Sequence, residues 1–239
     1  MIKVKVFGSG SSGNCYLLDD GQSQLIIEAG IAFKHVEVAM DFDFSKVQGM
    51  LISHEHSDHS KYIRSFVDHT SFPIYATQGT LKALELTGLN YVALGELVPT
   101  KIGDWTVIPF PVRHDAAEPV GFLIKNSMGE RLLYVTDTYF VKYRFDHIAY
   151  MLVEMNYSYD IAAQNVDDGT LNYSLRNRIL TSHFEMKNSL NFIKANLSPE
   201  LKWIELIHLS DKNSDQQLFK EKAQALTGVP VYVAPKRSW

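Results

Sequence analysis

Within six consecutive residues, His54-Glu55-His56-Ser57-Asp58-His59, the chain offers three imidazoles and an aspartate carboxylate. Alternate side chains along an extended turn can aim to one side, so His54 and His56 can converge on one metal ion while Asp58 and His59 turn toward a second. Imidazole nitrogen with carboxylate oxygen suits zinc and also serves manganese or iron. The plainer reading is a solvated, charged helix start, which a lone histidine would favour; three histidines and an aspartate so close together do not. His114, Asp137 and His208 stand further along, near the ends of the strand-like runs WTVIPFPVR, RLLYVT and KWIELIHL. Singly, each reads equally well as a loop or core residue. With the first cluster they make a donor set sufficient for two metal ions bridged by Asp137 and a water.

Such donors need strand ends to hold them. VQGMLISH (47–54) reads as a buried strand, and Ile63, Phe66 and Val67 follow at helical spacing, so the histidine cluster falls in the turn between strand and helix. Val4 and Val6 alternate with Lys3 and Lys5 as on a half-buried strand, the Gly/Ser-rich loop GSGSSGN (8–14) follows, and CYLL with QLIIEAG reads as a hairpin closed near Asp20-Gly21. WTVIPF, VGFLIK, RLLYVTD and YMLVEMN are further strands. Leu190, Ile193 and Leu197 mark a helix before KWIELIHL, and Ser214 with Gln217 reads as a capping box opening a last helix through Phe219, Ala223 and Leu226. A short strand, VPVYVA, closes the pattern. Strands with helices between them in each half suggest two sheets packed face to face with helices outside, but periodicity alone predicts only an α/β or α+β chain.

Composition narrows the class. A chain of 239 residues, 46% hydrophobic and 21% charged, can bury a large core as one domain over residues 1–239, with no repeat or linker-like stretch. The net charge of -4 gives no global basic field for nucleic acid, although bound metal would add positive charge locally. A single cysteine, Cys15, leaves no internal disulfide and fits a reducing compartment. The first residues read as strand and loop rather than a signal peptide, and no apolar run reaches the ~18 residues of a membrane span. A cytoplasmic protein is expected.

HxHxDH followed by distant His, Asp and His resembles the metallo-β-lactamase superfamily over nearly the whole chain. The resemblance implies an α/β fold, the four-layer αβ/βα sandwich, with the metals at one edge. It implies that His54, His56 and His114 bind one ion, that Asp58, His59 and His208 bind the other, and that Asp137 bridges them. Histidine at position 56, where the diiron electron-transfer branch has glutamate, points to hydrolysis. Aspartate at 137, where several true β-lactamases have cysteine or serine, points to the branches of glyoxalase II, ribonuclease Z and related phosphodiesterases. FGSGSSGNCYLL, IIEAG, SHEHSDH, YVTDT and HLSDKN together resemble the WalJ/YycJ group, which is associated with DNA exonuclease activity. Glu28 departs from that pattern, which has aspartate in DAG, and its longer carboxylate is expected to rearrange a hydrogen bond behind the metal ligands.

Glu154 in MLVEMN and His183 in TSHFEMKNSL resemble the glutamate and histidine that flank the leaving group in ribonuclease Z; the plain alternative is a strand cap and a helix start. The resemblance then implies a phosphodiesterase or nuclease acting on DNA through a metal-bridging hydroxide. Asp58 would ligate and orient the nucleophile, and His183, held by Glu154, would serve the leaving oxygen. The 55 positions from His59 to His114, the 23 to Asp137 and the 71 to His208 leave no room for a tRNA-gripping arm or a β-CASP domain. Ser12, Asn14, Ser210 and Asn213 are candidate rim contacts to substrate, a plain turn being nearly as good a reading of GSGSSGN, which is not a dinucleotide fingerprint. His35, His69 and His147 match no ligand position. A thioesterase or lactonase of the glyoxalase II type, needing no Glu154–His183 pair, is the rival enzyme; a metal-stabilised binding protein is the rival of another class. Zinc or manganese is expected, with iron compatible.

Overall fold

Alternating Lys and Val build β1 (Lys3–Gly8), whose lysines face solvent while the valines are half-buried. β2 (Cys15–Asp19) and β3 (Gln24–Ile27) form the expected hairpin, with Leu17 opposite Ile26 and Leu18 opposite Leu25. Asp20 closes its turn by accepting from the amides of Gln22 and Ser23, the local hydrogen bonding that favours aspartate in turns. The structure, a computed structural model, describes residues 1–237, so the last two positions of the domain expected over 1–239 lie outside the described residues. The chain divides into two compact units.

The first unit comprises Met1–Pro111, Ala116–Glu130 and the residues from Pro235 onward. After the hairpin come α1 (Phe33–Ala39), β4 (Val47–Leu51), α2 (Ser57–Ser60), α3 (Ile63–His69), β5 (Ile74–Thr77), α4 (Gln78–Ala83) and β6 (Tyr91–Leu94). β1 to β6 form one sheet in sequence order, antiparallel through β3 and parallel from β3 onward. The change of direction follows from the connections: tight turns permit antiparallel pairing, whereas parallel neighbours need a crossover, here helical. Phe7, Leu17, Ile26, Ile52 and Phe66 pack in the core of this unit. β7 (Thr100–Ile102), β8 (Trp105–Pro111) and β9 (Val120–Lys125) pair antiparallel in register Ile102–Trp105 and Val107–Ile124.

The second unit comprises Val112–Asp115 and Arg131–Ala234. It contains β10 (Arg131–Val135), β11 (Ile148–Glu154), α5 (Tyr159–Asp167), α6 (Tyr173–Ser182), α7 (Met186–Ala195), β12 (Trp203–Ile207), α8 (Gln216–Thr227) and β13 (Val231–Val233). β10 to β13 pair in parallel, and every residue of β11 is buried, as expected for a central strand covered on both faces. The expected start of α8 is corrected by one residue. Asp215, not Ser214, caps it by accepting from the Leu218 amide, because the Ser214 hydroxyl is spent on the Ser210 carbonyl.

Candidate metal centre

In the first unit the chain leaves β4 at Leu51 and turns through His54 into α2, so Asp58 and His59 sit on one helical turn rather than in a loop. The His54 ring lies 4.8 Å from that of His56 and 4.3 Å from that of His59, centroid to centroid. Asp58 Oδ2 lies 3.5 Å from His59 Nε2. The four cluster residues are therefore gathered at one corner, with His54 and His59 buried.

What holds them is a set of partners behind the rings. Ser53 Oγ is 2.9 Å from His54 Nδ1, and Glu28 Oε1 is 3.4 Å from His59 Nδ1. The Glu28 carboxylate, which only accepts, favours a proton on His59 Nδ1 and leaves Nε2 as the metal-binding lone pair; the Ser53 hydroxyl does the same for His54 when it accepts. Glu28 directly follows β3 with φ 66°, a left-handed conformation that favours glycine, and its other oxygen accepts from the Ser53 amide. The longer glutamate is thus accommodated by a turned backbone and still braces His59. Ala29 N donates to the His59 carbonyl, Gly30 N to the Asn14 carbonyl, and Asn14 N to the Asp58 carbonyl. A Cβ on Gly30 would stand 1.8 Å from the Asp58 carbonyl oxygen, so only glycine lets these loops approach.

Asn14, expected at the rim, is buried and serves this scaffold: its amide nitrogen lies within 3.2 Å of the Gly10 and Asp58 carbonyls and of His59 Nε2. Ser12 is exposed at the tip of its loop.

In the second unit the donors again follow strand ends: Asp137 after β10, Glu154 closing β11, His208 directly after β12. Asp137 and His208 have φ 44° and 53°. Non-glycine residues held in this region cost about 1–3 kcal/mol each and cluster where a side chain must be aimed for function. Asp137, Glu154, His183 and His208 each offer a donor atom within 4.8 Å of the others. His183 Nδ1 is 2.7 Å from Glu154 Oε1 and 2.9 Å from Asp137 Oδ1. His208 Nε2 is 3.6 Å from Asp137 Oδ2, while Asn156 and Glu154 lie on its Nδ1 edge. His114 places Nδ1 3.0 Å from the Ser182 carbonyl, which likewise frees Nε2, and its ring centroid is 5.9 Å from that of His183.

Glu154 is fully engaged. Its second oxygen accepts from the amides of Thr138 and Phe184. Burial alone would lower the His183 pKa; the Glu154 charge and hydrogen bonds to Asp137 and Glu154 outweigh it and hold the pKa well above the ordinary histidine value. His183 is the residue that ends α6, not the start of a helix. Asn213 is buried, donating to Ser210 Oγ and accepting from Asn165, and half-buried Ser210 is drawn into the same knot.

The donors suit a divalent metal: in the second unit Asp137, Glu154, His183 and His208 converge, and in both units imidazole Nδ1 atoms face oxygen with a carboxylate nearby. Sequence reasoning missed Ser53, Asn156, the Ser182 carbonyl and the Thr138 and Phe184 amides. Backbone groups carry no residue-type signal, and Ser53 and Asn156 are recognisable only once their partners are placed. The three histidines set aside lie elsewhere: His69 stacks on Phe33, His147 pairs with Glu200 on the surface, and His35 lies on α1.

The model of the β-lactamase superfamily domain matches residues 27–190. The chain belongs to the metallo-β-lactamase superfamily. Within this superfamily of metal-dependent hydrolases it is 28% identical to exodeoxyribonuclease YycJ of Bacillus anthracis over 233 residues, 91% of this chain and 86% of that one. It is also 28% identical to exodeoxyribonuclease WalJ of Streptococcus pneumoniae, over 96% of this chain and 91% of that one. Among solved structures, the metallo-β-lactamase fold protein YhfI from Bacillus subtilis aligns with TM-score 0.72 and 15% identity, covering 100% of this chain and 99% of that one. The expected α/β metallo-β-lactamase fold is therefore the fold of this chain.

Proposed function

We propose that the two units act as one catalytic domain, a metal-dependent phosphodiesterase of the nuclease kind acting on DNA. Two divalent ions, zinc or manganese with iron compatible, would be held by His54, His56 and His114 on one side and Asp58, His59 and His208 on the other, with Asp137 between them. This assignment rests on the motif, the superfamily membership and the two donor sets described above. When bound, such ions supply Lewis-acid charge and lower the pKa of water toward neutrality.

The observation that carries the phosphodiester reading is the Glu154–His183 pair, 2.7 Å apart. With Nδ1 bound by carboxylate, the opposite ring nitrogen carries a proton toward substrate. A nucleoside oxygen leaves poorly unless it is protonated, so an imidazolium held this way supplies what phosphodiester cleavage demands. Glu154 maintains that charge state and the ring orientation, while Asp58 orients the attacking water. The names of the exodeoxyribonuclease relatives support DNA as substrate.

No helix among the described residues is long and apolar enough to cross a membrane, and the lone buried cysteine agrees with action in the cytoplasm. The test is a screen of metal-loaded protein against bis-p-nitrophenyl phosphate, labelled single- and double-stranded DNA, RNA and a thioester. Cleavage of the diester and DNA is expected. Turnover confined to the thioester would replace this reading with an acyl hydrolase.

A further inference from the structure

The segment directly after Asp137 has an unusual composition: Thr138-Tyr139-Phe140-Val141-Lys142-Tyr143-Arg144-Phe145 alternates aromatic and basic residues. It is held by its backbone. Thr138 Oγ donates to the Arg113 carbonyl, and the Phe140 and Phe145 amides donate to Thr138 Oγ and Asn196 Oδ1. This leaves Tyr139 and Phe140 exposed, at 42% and 54%. Between the segment and α7 runs a cleft of about 350 Å³, lined by Phe140, Tyr143 and Phe184 with the side-chain amides of Asn188 and Asn191.

Both walls start at the Glu154–His183 pair: the Thr138 and Phe184 amides donate to the same Glu154 oxygen. The cleft's own lining carries Lys142 and Arg144 and no acidic residue, in a chain whose net charge is -4; Asp146 and Glu185 stand just beyond the two segments.

Aromatic faces, carboxamides and cations along one groove are what a polynucleotide strand needs: rings for bases to stack on, amides for base edges, positive charge for phosphates. A duplex keeps its bases stacked on one another, so an aromatic-lined cleft selects unpaired nucleotides. We propose that this groove is a subsite for single-stranded polynucleotide, seating a nucleotide beside the scissile phosphate with Phe140 stacking a base and Lys142 and Arg144 contacting phosphates. The proposal rests on the phosphodiesterase reading for its place in a reaction, but not for binding.

The experiment uses full-length metal-loaded protein and a fluorescein-labelled phosphorothioate oligothymidylate, chosen to resist cleavage, with anisotropy read from 50 to 200 mM salt. Phe140→Ala is expected to weaken binding about 5- to 150-fold, the range for losing one stacked base. Lys142→Gln/Arg144→Gln is expected to flatten the slope of log affinity against log salt by about 1.4, two phosphate contacts at ~0.7 each. Hydrolysis of bis-p-nitrophenyl phosphate, too small to need the groove, should be unchanged in both. All three positions are at the surface, so folding should survive; Phe140→Leu, which keeps bulk without a stacking face, repeats the test in a second background. Unaltered affinity and salt slope in these variants, or equal affinity for blunt duplex, overturns the proposal. Absence of diester hydrolysis in the parent protein overturns the phosphodiesterase reading instead, and the anisotropy still reports on the groove.

Discussion

Glu154 binds His183 through one oxygen at 2.7 Å and uses the other to accept two backbone amides. A buried carboxylate so engaged has no freedom left, and it fixes the imidazole rather than joining substrate. His183→Ala should therefore retain bound metal yet lose about 10²–10⁴ in rate on nucleotide leaving groups, the usual range for a proton donor. The loss should shrink for p-nitrophenolate, which leaves without protonation. Equal losses on both substrates would assign His183 to phosphate binding instead. Glu154→Gln should give the same leaving-group dependence with a smaller loss.

Asp137 touches both His183 and His208, and its backbone is held at positive φ. A residue so aimed is expected to matter to metal more than to the fold. Asp137→Ala should abolish most hydrolysis and lower the metal content measured by elemental analysis from about two ions per chain. The urea midpoint of chelated protein should move little. Undiminished turnover in this variant would remove Asp137 from the bridging position.

The sequence was most readable where pattern and chemistry coincide. VQGMLISH, RLLYVT and KWIELIHL are apolar runs with a donor at or next to their ends, and His54, Asp137 and His208 do sit just beyond β4, β10 and β12. The short elements α1, α4, β6 and β7 were not legible, because three to seven residues give too few turns or alternations to show a period. Asn14 illustrates a different limit. A polar residue in a Gly/Ser loop reads as solvent-facing, but Gly10 of its own loop and Asp58 and His59 of α2 surround its amide and draw it inside. The partners of His114 and Glu154 are mainly backbone groups, which no residue pattern announces.

Glu28 braces His59 from behind, with Oε1 3.4 Å from Nδ1 and both groups fully buried. Glu28→Gln keeps the shape but removes the charge that favours a protonated Nδ1. A partner of this kind is worth about 10–100-fold in metal affinity. Competition with a fluorescent chelator should show one weakened ion of two, and unchanged affinity would detach Glu28 from the centre. Glu28→Asp shortens the reach at a backbone turned for glutamate and should recover only part of the loss.

Glu205 lies on β12 between Leu152 of β11 and Tyr232 of β13, and burial raises its pKa from the ordinary 4.5 to about 7. The folded chain therefore keeps a proton that the unfolded chain releases between those values. For an acid with a raised pKa, stability is highest below the unfolded value, falls as pH rises toward the folded value, and levels off above it. A shift of this size corresponds to at most about 3 kcal/mol lost between pH 4.5 and 7.5. Glu205→Gln cannot ionise and should remove this slope, so urea unfolding should find the variant more stable than the parent at pH 8 and nearly equal to it at pH 5. A difference of the same size at both pH values would show that packing, not ionisation, sets the effect.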